Sequence, residues 1–200
     1  MRLWNKAFAA AYDASLARAE ERGLAEARRS LLAGARGRVL ELGAGTGLNT
    51  QNYPAGAEVT FTEPDPAMAK RLRRKAEVVV APAEALPFAD ASFDTVVATL
   101  VFCTVHDVSA SLREARRVLA PGGQLLFLEH VRAEPGTSSA RWQRLLRRPW
   151  HALACGCNCD RDFLRALETE GYTVDELRRE NWPFLPPIIR PVVIGVASLS

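Results

Sequence analysis

Residues 38–47 read Arg38-Val39-Leu40-Glu41-Leu42-Gly43-Ala44-Gly45-Thr46-Gly47, and the reading of this stretch decides the fold. Val39, Leu40 and Leu42 form a short apolar run of β character that empties into a turn with glycine at every second position. A turn nearly free of side chains, followed by a helix expected over 47–53, lets backbone N–H groups and a helix N-terminus approach a ligand closely. The dinucleotide fingerprint G-x-G-x-x-G is not met. Gly43, Gly45 and Gly47 are spaced G-x-G-x-G and Leu48 stands at the third fingerprint position, so no pyrophosphate is demanded. About twenty residues past Gly43, Glu63 ends the next apolar run, where an acceptor with two oxygens suits paired ribose hydroxyls. Asp65 is the second choice for that role.

Outward from this turn the chain alternates. Strands are expected at 38–43, 58–63, 77–81, 93–99 and 124–130, and helices at 47–53, 66–76 and 109–119, with Pro121-Gly122-Gly123 turning into the fifth strand. A helix at 160–170 and strands at 172–179 and 191–198 complete the series. The pattern predicts an α/β fold: a mostly parallel sheet with helices on both faces and ligands above the carboxyl ends of the strands. Residues 5–33 are rich in Ala, Leu, Glu and Arg, and Gly23 marks the meeting of two helices.

Two hundred residues, 48% of them hydrophobic, suit one domain over 1–200, with a helical cap over 1–36 and a core over 37–200. A net charge of +3 argues for neither a nucleic-acid partner nor an acidic tail. The opening Met1-Arg2-Leu3-Trp4-Asn5-Lys6 leads into a charged, Ala-rich segment unlike a signal peptide, and no apolar run reaches the roughly eighteen residues of a spanning helix. Four cysteines are too few for a disulfide scaffold. A soluble, cytoplasmic chain is expected; nothing in it speaks to oligomeric state.

Glu-Leu-Gly-Ala-Gly-Thr-Gly followed by an acidic residue at the second strand end resembles the class I methyltransferases that use S-adenosyl-L-methionine (SAM) and release S-adenosyl-L-homocysteine. The resemblance is firm over 38–130 and looser on the flanks. It implies a Rossmann-like, seven-stranded, mostly parallel sheet with a final antiparallel strand. It also distributes the cofactor contacts. Glu41 and the backbone of Gly43, Ala44, Gly45 and Gly47 face the amino and carboxylate ends of SAM, Glu63 and Pro64 the ribose, and Thr99 and Leu100 the methionine side. Ala81-Pro82-Ala83-Glu84-Ala85-Leu86-Pro87-Phe88 resembles the adenine segment that commonly reads Gly-Asp-Ala-Glu-x-Leu-Pro-Phe. Pro82 replaces its Asp, which leaves the Ala83 amide and Glu84 as the contacts. A Tyr-Asp pair ahead of the glycine turn closes over the cofactor in related enzymes, which nominates Tyr12; a helix aromatic packed on the sheet reads equally well from the residues. Asp94, in the run Phe88–Asp94, is read as structural.

Three further stretches bear on the methyl acceptor: Thr99–Asp107 with its Cys103, Phe127-Leu128-Glu129-His130-Val131, and Trp142–Asp160, which holds Trp142-Gln143, Trp150-His151 and Gly156-Cys157-Asn158. Together they resemble the microsomal alkyl-thiol S-methyltransferases. Members of that family open on a membrane-anchoring apolar helix, for which this sequence has no counterpart. The resemblance implies transfer of a methyl group to a small lipophilic nucleophile, with thiol or sulfide sulfur favoured. A thiol costs only about 2 kcal/mol to ionise at neutral pH, so alignment and exclusion of water could suffice. His130, at the end of a central strand, is the choice for proton removal, with Glu129 orienting it or facing the cofactor. A histidine that merely hydrogen-bonds the first helix or loop is the other reading of His130. Phe102, Cys103, Trp142, Trp150 and His151, with Phe184, are the candidate substrate pocket, and His106 is read as a loop residue.

Cys155, Cys157 and Cys159 alternate without a second cysteine pair, so no metal site is assigned. Arg141, Arg144, Arg147 and Arg148 beside two tryptophans could lay residues 141–151 on an anionic bilayer, or form an ordinary solvated basic helix. The rivals to the thiol reading are a quinone C- or O-methyltransferase, a phospholipid N-methyltransferase, and a SAM-binding module without catalysis. The partner expected of an enzyme here is a small molecule, with no nucleic acid.

Overall fold

The structure is a computed structural model that describes the backbone of residues 2–199 and the side chains of residues 6–199. Seven strands form one sheet: β1 (Arg38–Leu42), β2 (Glu58–Thr62), β3 (Val78–Val79), β4 (Phe93–Thr99), β5 (Leu119–His130), β6 (Tyr172–Asn181) and β7 (Pro191–Leu199). Their spatial order is β3-β2-β1-β4-β5-β7-β6. Pairs among the first five strands are parallel, and β7 runs antiparallel to both of its neighbours. The strand order reverses between β1 and β4, which opens a crevice at their carboxyl ends.

The apolar run of β1 is buried on both faces, as a central parallel strand requires. Leu40 and Leu42 join Val96, Ala98, Leu125 and Phe127 under helices α4 (Val108–Val118) and α6 (Phe163–Thr169). Val39 joins Val97, Leu126 and Leu128 on the opposite face, under α2 (Ala25–Leu32). Alternation along each strand feeds the two layers in turn. Helix α1 (Arg2–Ala19) runs through a short π turn, Glu20–Leu24, into α2, and Gly23 breaks the helical path there at φ 130°. Helix α3 (Pro66–Leu72) starts on Asp65, which accepts the N–H groups of Ala67 and Met68. Asp107 caps α4 and Thr137 caps α5 (Ser138–Leu153) in the same way. Asp94 holds Arg38 through its backbone N–H at 2.8 Å and its guanidinium at 3.2 Å, the structural role expected of it.

Four local expectations are corrected. Residues 47–53 form successive turns instead of a helix. Side chains there compete with the helical ladder: the Thr50 hydroxyl donates to the Gly47 carbonyl at 3.0 Å and the Asn52 amide to that of Leu48 at 3.3 Å. The third strand shrinks to Val78–Val79, cut short before Pro82 on the outer edge of the sheet. Pro121-Gly122-Gly123 lies within β5 as an irregularity, because Phe93 pairs with Leu119 and Thr95 already with Gln124. The last helix is also shorter than 160–170, starting at Phe163 behind its cap Asp162.

Gly195 lets β7 pass between its neighbours: a Cβ there would stand 2.2 Å from the Glu176 carbonyl oxygen and 2.6 Å from Phe127 Cζ. Gly195→Ala is expected to destabilise the chain by about 1–3 kcal/mol through overpacking, read as a lowered urea midpoint. An unchanged midpoint would mean that the β5–β7–β6 register is wrong.

Candidate active site

At the mouth of β1 the three glycines do different work. All take positive φ, 52° at Gly43, 59° at Gly45 and 78° at Gly47. A Cβ at Gly43 would meet Val101 at 2.9 Å and one at Gly47 would meet Leu72 at 2.6 Å, so these two are required by the chain's own packing. At Gly45 the nearest atom is Tyr12 Cε1 at 4.0 Å. Gly45 is therefore the bare face of the turn, and it looks toward α1. Its N–H donates to Glu63 Oε2 at 2.8 Å, while the Asp65 N–H donates to Glu63 Oε1 at 2.8 Å, which holds the carboxylate at the end of β2 against the turn.

Above this turn lies a cavity of about 30 Å³ lined by Tyr12, Arg28, Glu41, residues 43–46, Leu48, Asn49, Thr99 and Leu100; Gly47, expected among the cofactor contacts, does not line it. That volume is small beside the roughly 300–1,000 Å³ of ordinary ligand pockets, so the site is closed. Helix α1 forms the cover, tied down by a hydrogen bond from the Thr46 hydroxyl to Asp13. Below the cover a buried polar network joins four elements. Arg28 donates to Thr99 Oγ1 at 2.8 Å, to Asn49 Oδ1 at 3.2 Å and to Glu20 at 3.1 Å. Asn49 donates to Glu41 Oε1 and to Thr99 Oγ1, each at 2.9 Å, and the Tyr53 hydroxyl donates to Glu41 Oε2 at 2.5 Å. Burial pushes the Glu41 carboxyl up to about 7; the bonds from Tyr53 and Asn49 and the Arg28 charge oppose that, and Glu63 adds to it.

The ends of β4 and β5 make the second half of the site. Leu100 sits at φ 60°, a left-handed conformation that costs a non-glycine residue roughly 1–2 kcal/mol. The strain is held by Glu129, whose Oε1 accepts the N–H groups of Val101 and Phe102 at 2.8 and 3.1 Å. Glu129 is fully buried, and burial raises its carboxyl to about 7 despite these bonds. Next to it, His130 Nε2 stands 3.2 Å from Cys157 Sγ, and the indole N–H of Trp150 donates to the same sulfur at 3.1 Å. Contact with Cys103, His130 and Trp150 holds the Cys157 thiol well below its ordinary range, against the effect of burial. Glu129 Oε2 and His130 Nδ1 are buried without a partner.

The structure brings together Tyr12, Glu41, Gly43, Ala44, Gly45, Thr99 and Leu100 around the cavity, with Glu63 behind Gly45. It brings Cys103, Trp150 and Cys157 to His130. Pro64 is exposed and Ala83 buried. Glu84 is occupied in clamping a loop, its Oε1 accepting the N–H groups of His106 and Asp107 at 2.6 and 3.2 Å. The expected aromatic pocket does not assemble. Phe102 stacks on Phe163 in the core at 4.9 Å, Phe184 stacks on Trp182 beyond the opposite face of the sheet, and Trp142 and His151 are exposed on α5. His106 is an exposed loop residue, as expected.

Sequence reading missed Arg28, Asn49, Tyr53 and Gln143. Gln143 is the hinge pin of the acceptor side: its amide N–H group faces the carbonyls of Val131, Cys159 and Ile188 at 2.9–3.1 Å, and its Oε1 accepts the Ala133 N–H at 2.9 Å. Asn49 and Tyr53 had a weak signal in their closeness to the glycine turn. Arg28, a helical arginine among alanines, had none.

The family model described as "Methyltransferase domain" matches residues 40–127. Thiol S-methyltransferase TMT1A of Homo sapiens is 38% identical over 169 residues, which are 80% of this chain and 69% of that protein. The chain belongs to the thiol S-methyltransferase family. It is a class I methyltransferase, and its cofactor is SAM. A SAM-dependent methyltransferase from Thermotoga maritima, described as a possible histamine N-methyltransferase, shares the fold with a TM-score of 0.70 at 22% identity, over 98% of this chain and 97% of its own. Geranyl diphosphate C-methyltransferase from Streptomyces coelicolor, solved with S-adenosyl-L-homocysteine, shares it with a TM-score of 0.72 at 16% identity, over 91% and 82%. The mostly parallel sheet expected from the alternating pattern, Rossmann-like as the resemblance implied, is the fold these structures share.

Two outcomes are expected at the cradle. Gly45→Arg fills the one bare face of the turn and abolishes SAM binding in calorimetry while far-ultraviolet circular dichroism is retained; unchanged affinity would misplace the cradle. The second concerns Glu41, whose folded chain keeps a proton that the unfolded chain has already lost above its ordinary pKa of 4.5. Its contribution to stability is whole below that value and lost as pH rises through about 7. Between these limits the urea-measured stability difference should move in favour of Glu41→Gln by about 2–3 kcal/mol. A constant difference would show Glu41 ionised throughout.

Proposed function

We propose that this enzyme transfers the methyl group of SAM to the sulfur of a small lipophilic thiol, or to sulfide. The observation that carries the reading is the 38% identity to a thiol S-methyltransferase across four fifths of the chain. The site chemistry supports it. SAM supplies an electrophilic methyl carbon on a sulfonium centre and leaves as S-adenosyl-L-homocysteine. In this reading Glu41 takes its amino group, Glu63 with Pro64 its ribose, and the side-chain-free turn 43–47 gives its methionine end room; the N–H groups of Ala44, Gly45 and Gly47 are committed to the Thr62 carbonyl, Glu63 and the Ala44 carbonyl, so the expected amide contacts to its carboxylate are not kept. Each Glu63 oxygen keeps a lone pair beyond the amide it already accepts. Ala83 and Glu84 border the base, the backbone of Thr99 and Leu100 the methionine side, and Tyr12 on α1 closes the cover.

On the acceptor side His130 receives the thiol proton, and Glu129 holds the β4 turn that sets the distance between nucleophile and methyl carbon. Phe102, Cys103, Trp142, Trp150 and His151 were the pocket expected from sequence. Of these, Cys103 and Trp150 border His130, and they are the ones this proposal retains. Four of the six large exposed hydrophobic side chains among the described residues, Trp142, Leu145, Leu146 and Leu153, lie on α5 among Arg141, Arg144, Arg147 and Arg148. That face supports peripheral contact of 141–151 with an anionic bilayer, where a lipophilic thiol dissolves. No helix of the described residues is long and apolar enough to cross a membrane. We take the cytoplasm as the setting, in keeping with four unbridged cysteines.

The test is a panel of alkanethiols, sulfide, a quinol and an amine lipid, with SAM and with or without phosphatidylserine vesicles, read as S-adenosylhomocysteine formed. Thiols or sulfide should turn over and the quinol and lipid should not, with vesicles raising the rate for the longer thiols. Turnover confined to the quinol or the lipid would overturn the acceptor. SAM binding with no turnover on any acceptor would make the chain a binding module.

A further inference from the structure

Cys103, His130 and Cys157 come from three distant parts of the chain and meet in the core with one ligand atom each, all within 4.8 Å of one another. We propose that these three side chains bind a thiophilic divalent cation of the zinc type, leaving a fourth coordination position for an exogenous thiolate. The fourth position rests on the thiol-acceptor reading, with the ion in place of His130 removing the thiol proton; the three-ligand site does not.

The spacing suits such an ion. Bonds of about 2.3 Å to sulfur and 2.0–2.1 Å to imidazole nitrogen at tetrahedral angles put ligand atoms roughly 3.5–3.8 Å apart. Cys157 Sγ and His130 Nε2 stand at 3.2 Å and need open by only a few tenths of an ångström. Each ligand is positioned by its backbone, independently of the cluster. His130 is the last residue of β5 and pairs with Val192 of β7. The Cys103 carbonyl accepts the Asn158 N–H at 2.7 Å, which docks the 154–159 turn onto the end of β4. Gln143 fixes the same turn from the other side through the Cys159 carbonyl. Two thiols and an imidazole are thus preorganised by the backbone around them.

The surroundings match the charge of an occupied site. The Trp150 indole N–H aimed at Cys157 Sγ favours a thiolate there. The Arg161 guanidinium, which donates to the Val105 carbonyl, lies close enough to Cys103, Cys157 and Glu129 to interact with all three. Two thiolates and a divalent ion sum to zero, which removes the cost of burying either alone. The two buried side-chain polar atoms left without a partner among the described residues, His130 Nδ1 and Glu129 Oε2, both belong to this neighbourhood. Three protein ligands and one open position are also the pattern of zinc sites that work on a bound molecule, and a coordinating thiol is deprotonated outright.

The experiment uses the full chain, reduced and stripped with a chelator, titrated anaerobically with Co²⁺ and with Cd²⁺. One equivalent of each should bind, with a thiolate-to-metal charge-transfer band. Cys103→Ser and Cys157→Ser should each weaken binding by more than about 100-fold, beyond the loss typical of outer residues, while Cys155→Ser leaves it unchanged. Circular dichroism of each variant keeps the comparison to folded protein, and Trp150→Phe, which removes no ligand, should shift the band without abolishing it. A folded, reduced chain with no band, or affinity unchanged from the parent chain in either ligand variant, would overturn the site. Addition of an alkanethiol to the Co²⁺ protein without SAM should move the band. A band that stays still in a protein that methylates the thiol would overturn the fourth position. Stoichiometric Co²⁺ binding with no S-adenosylhomocysteine from any thiol would sustain the cation site and sink the acceptor reading instead.

Discussion

The parallel pairing of β1 with β4, Leu40 beside Val96 and Leu42 beside Ala98, sets everything that happens at the site. Because the strand order reverses at this pair, the chain leaves β1 toward one side and β4 toward the other, and a crevice forms between the departing loops, covered by α1. The turn 43–47 and the strained Leu100 face each other across that gap. Glycine at 43 and 47 is dictated by Val101 and Leu72 pressing against the turn, whereas glycine at 45 leaves a face open. One piece of sheet topology thus converts three similar glycines into two packing residues and one binding surface.

Around the crevice the protein concentrates polar groups that would be costly anywhere else in the core. Arg28, Glu41, Asn49 and Thr99 are buried and satisfy one another, so their desolvation is offset by hydrogen bonds instead of by water. The network ties α2 to β1 and β4 and supports the floor on which α1 closes. Because a polar network of this kind tolerates little misplacement, it also fixes where Glu41 can stand, and Glu41 with the cover of Tyr12 and Asp13 defines how a cofactor is enclosed.

The acceptor side is assembled differently. Here β5 provides Glu129 and His130, β4 leads to Cys103, and the segment after α5 provides Trp150 and Cys157, held in register by Gln143 and Asn158. Glu129 reaches Val101 across 28 residues and Asn158 reaches Cys103 across 55, whereas Trp150 and Cys157 are seven apart. In the sequence Cys157 reads against Cys155 and Cys159, and without a second nearby pair no metal site is assigned. The partner that matters lies fifty-four positions upstream (157 minus 103), beyond any spacing rule. Conversely Phe184, adjacent by type to the expected aromatic pocket, went to the other side of the sheet.

What the sequence determined by itself was whatever depends on neighbours along the chain. The apolar run of β1, the glycine turn, the acidic end of β2 and the breaker at Gly23 are local chemistry, and each is where the residues place it. The failure over 47–53 is also local: Asn and Thr side chains that hydrogen-bond the nearby backbone outweighed helical periodicity. Only the tertiary structure decided which buried polar groups share a network, that Glu84 clamps a loop, and that two cysteines and a histidine face one another. Those outcomes follow from strand order and from which loops dock on which strand ends, and the energy that selects them is spread over the whole packed core.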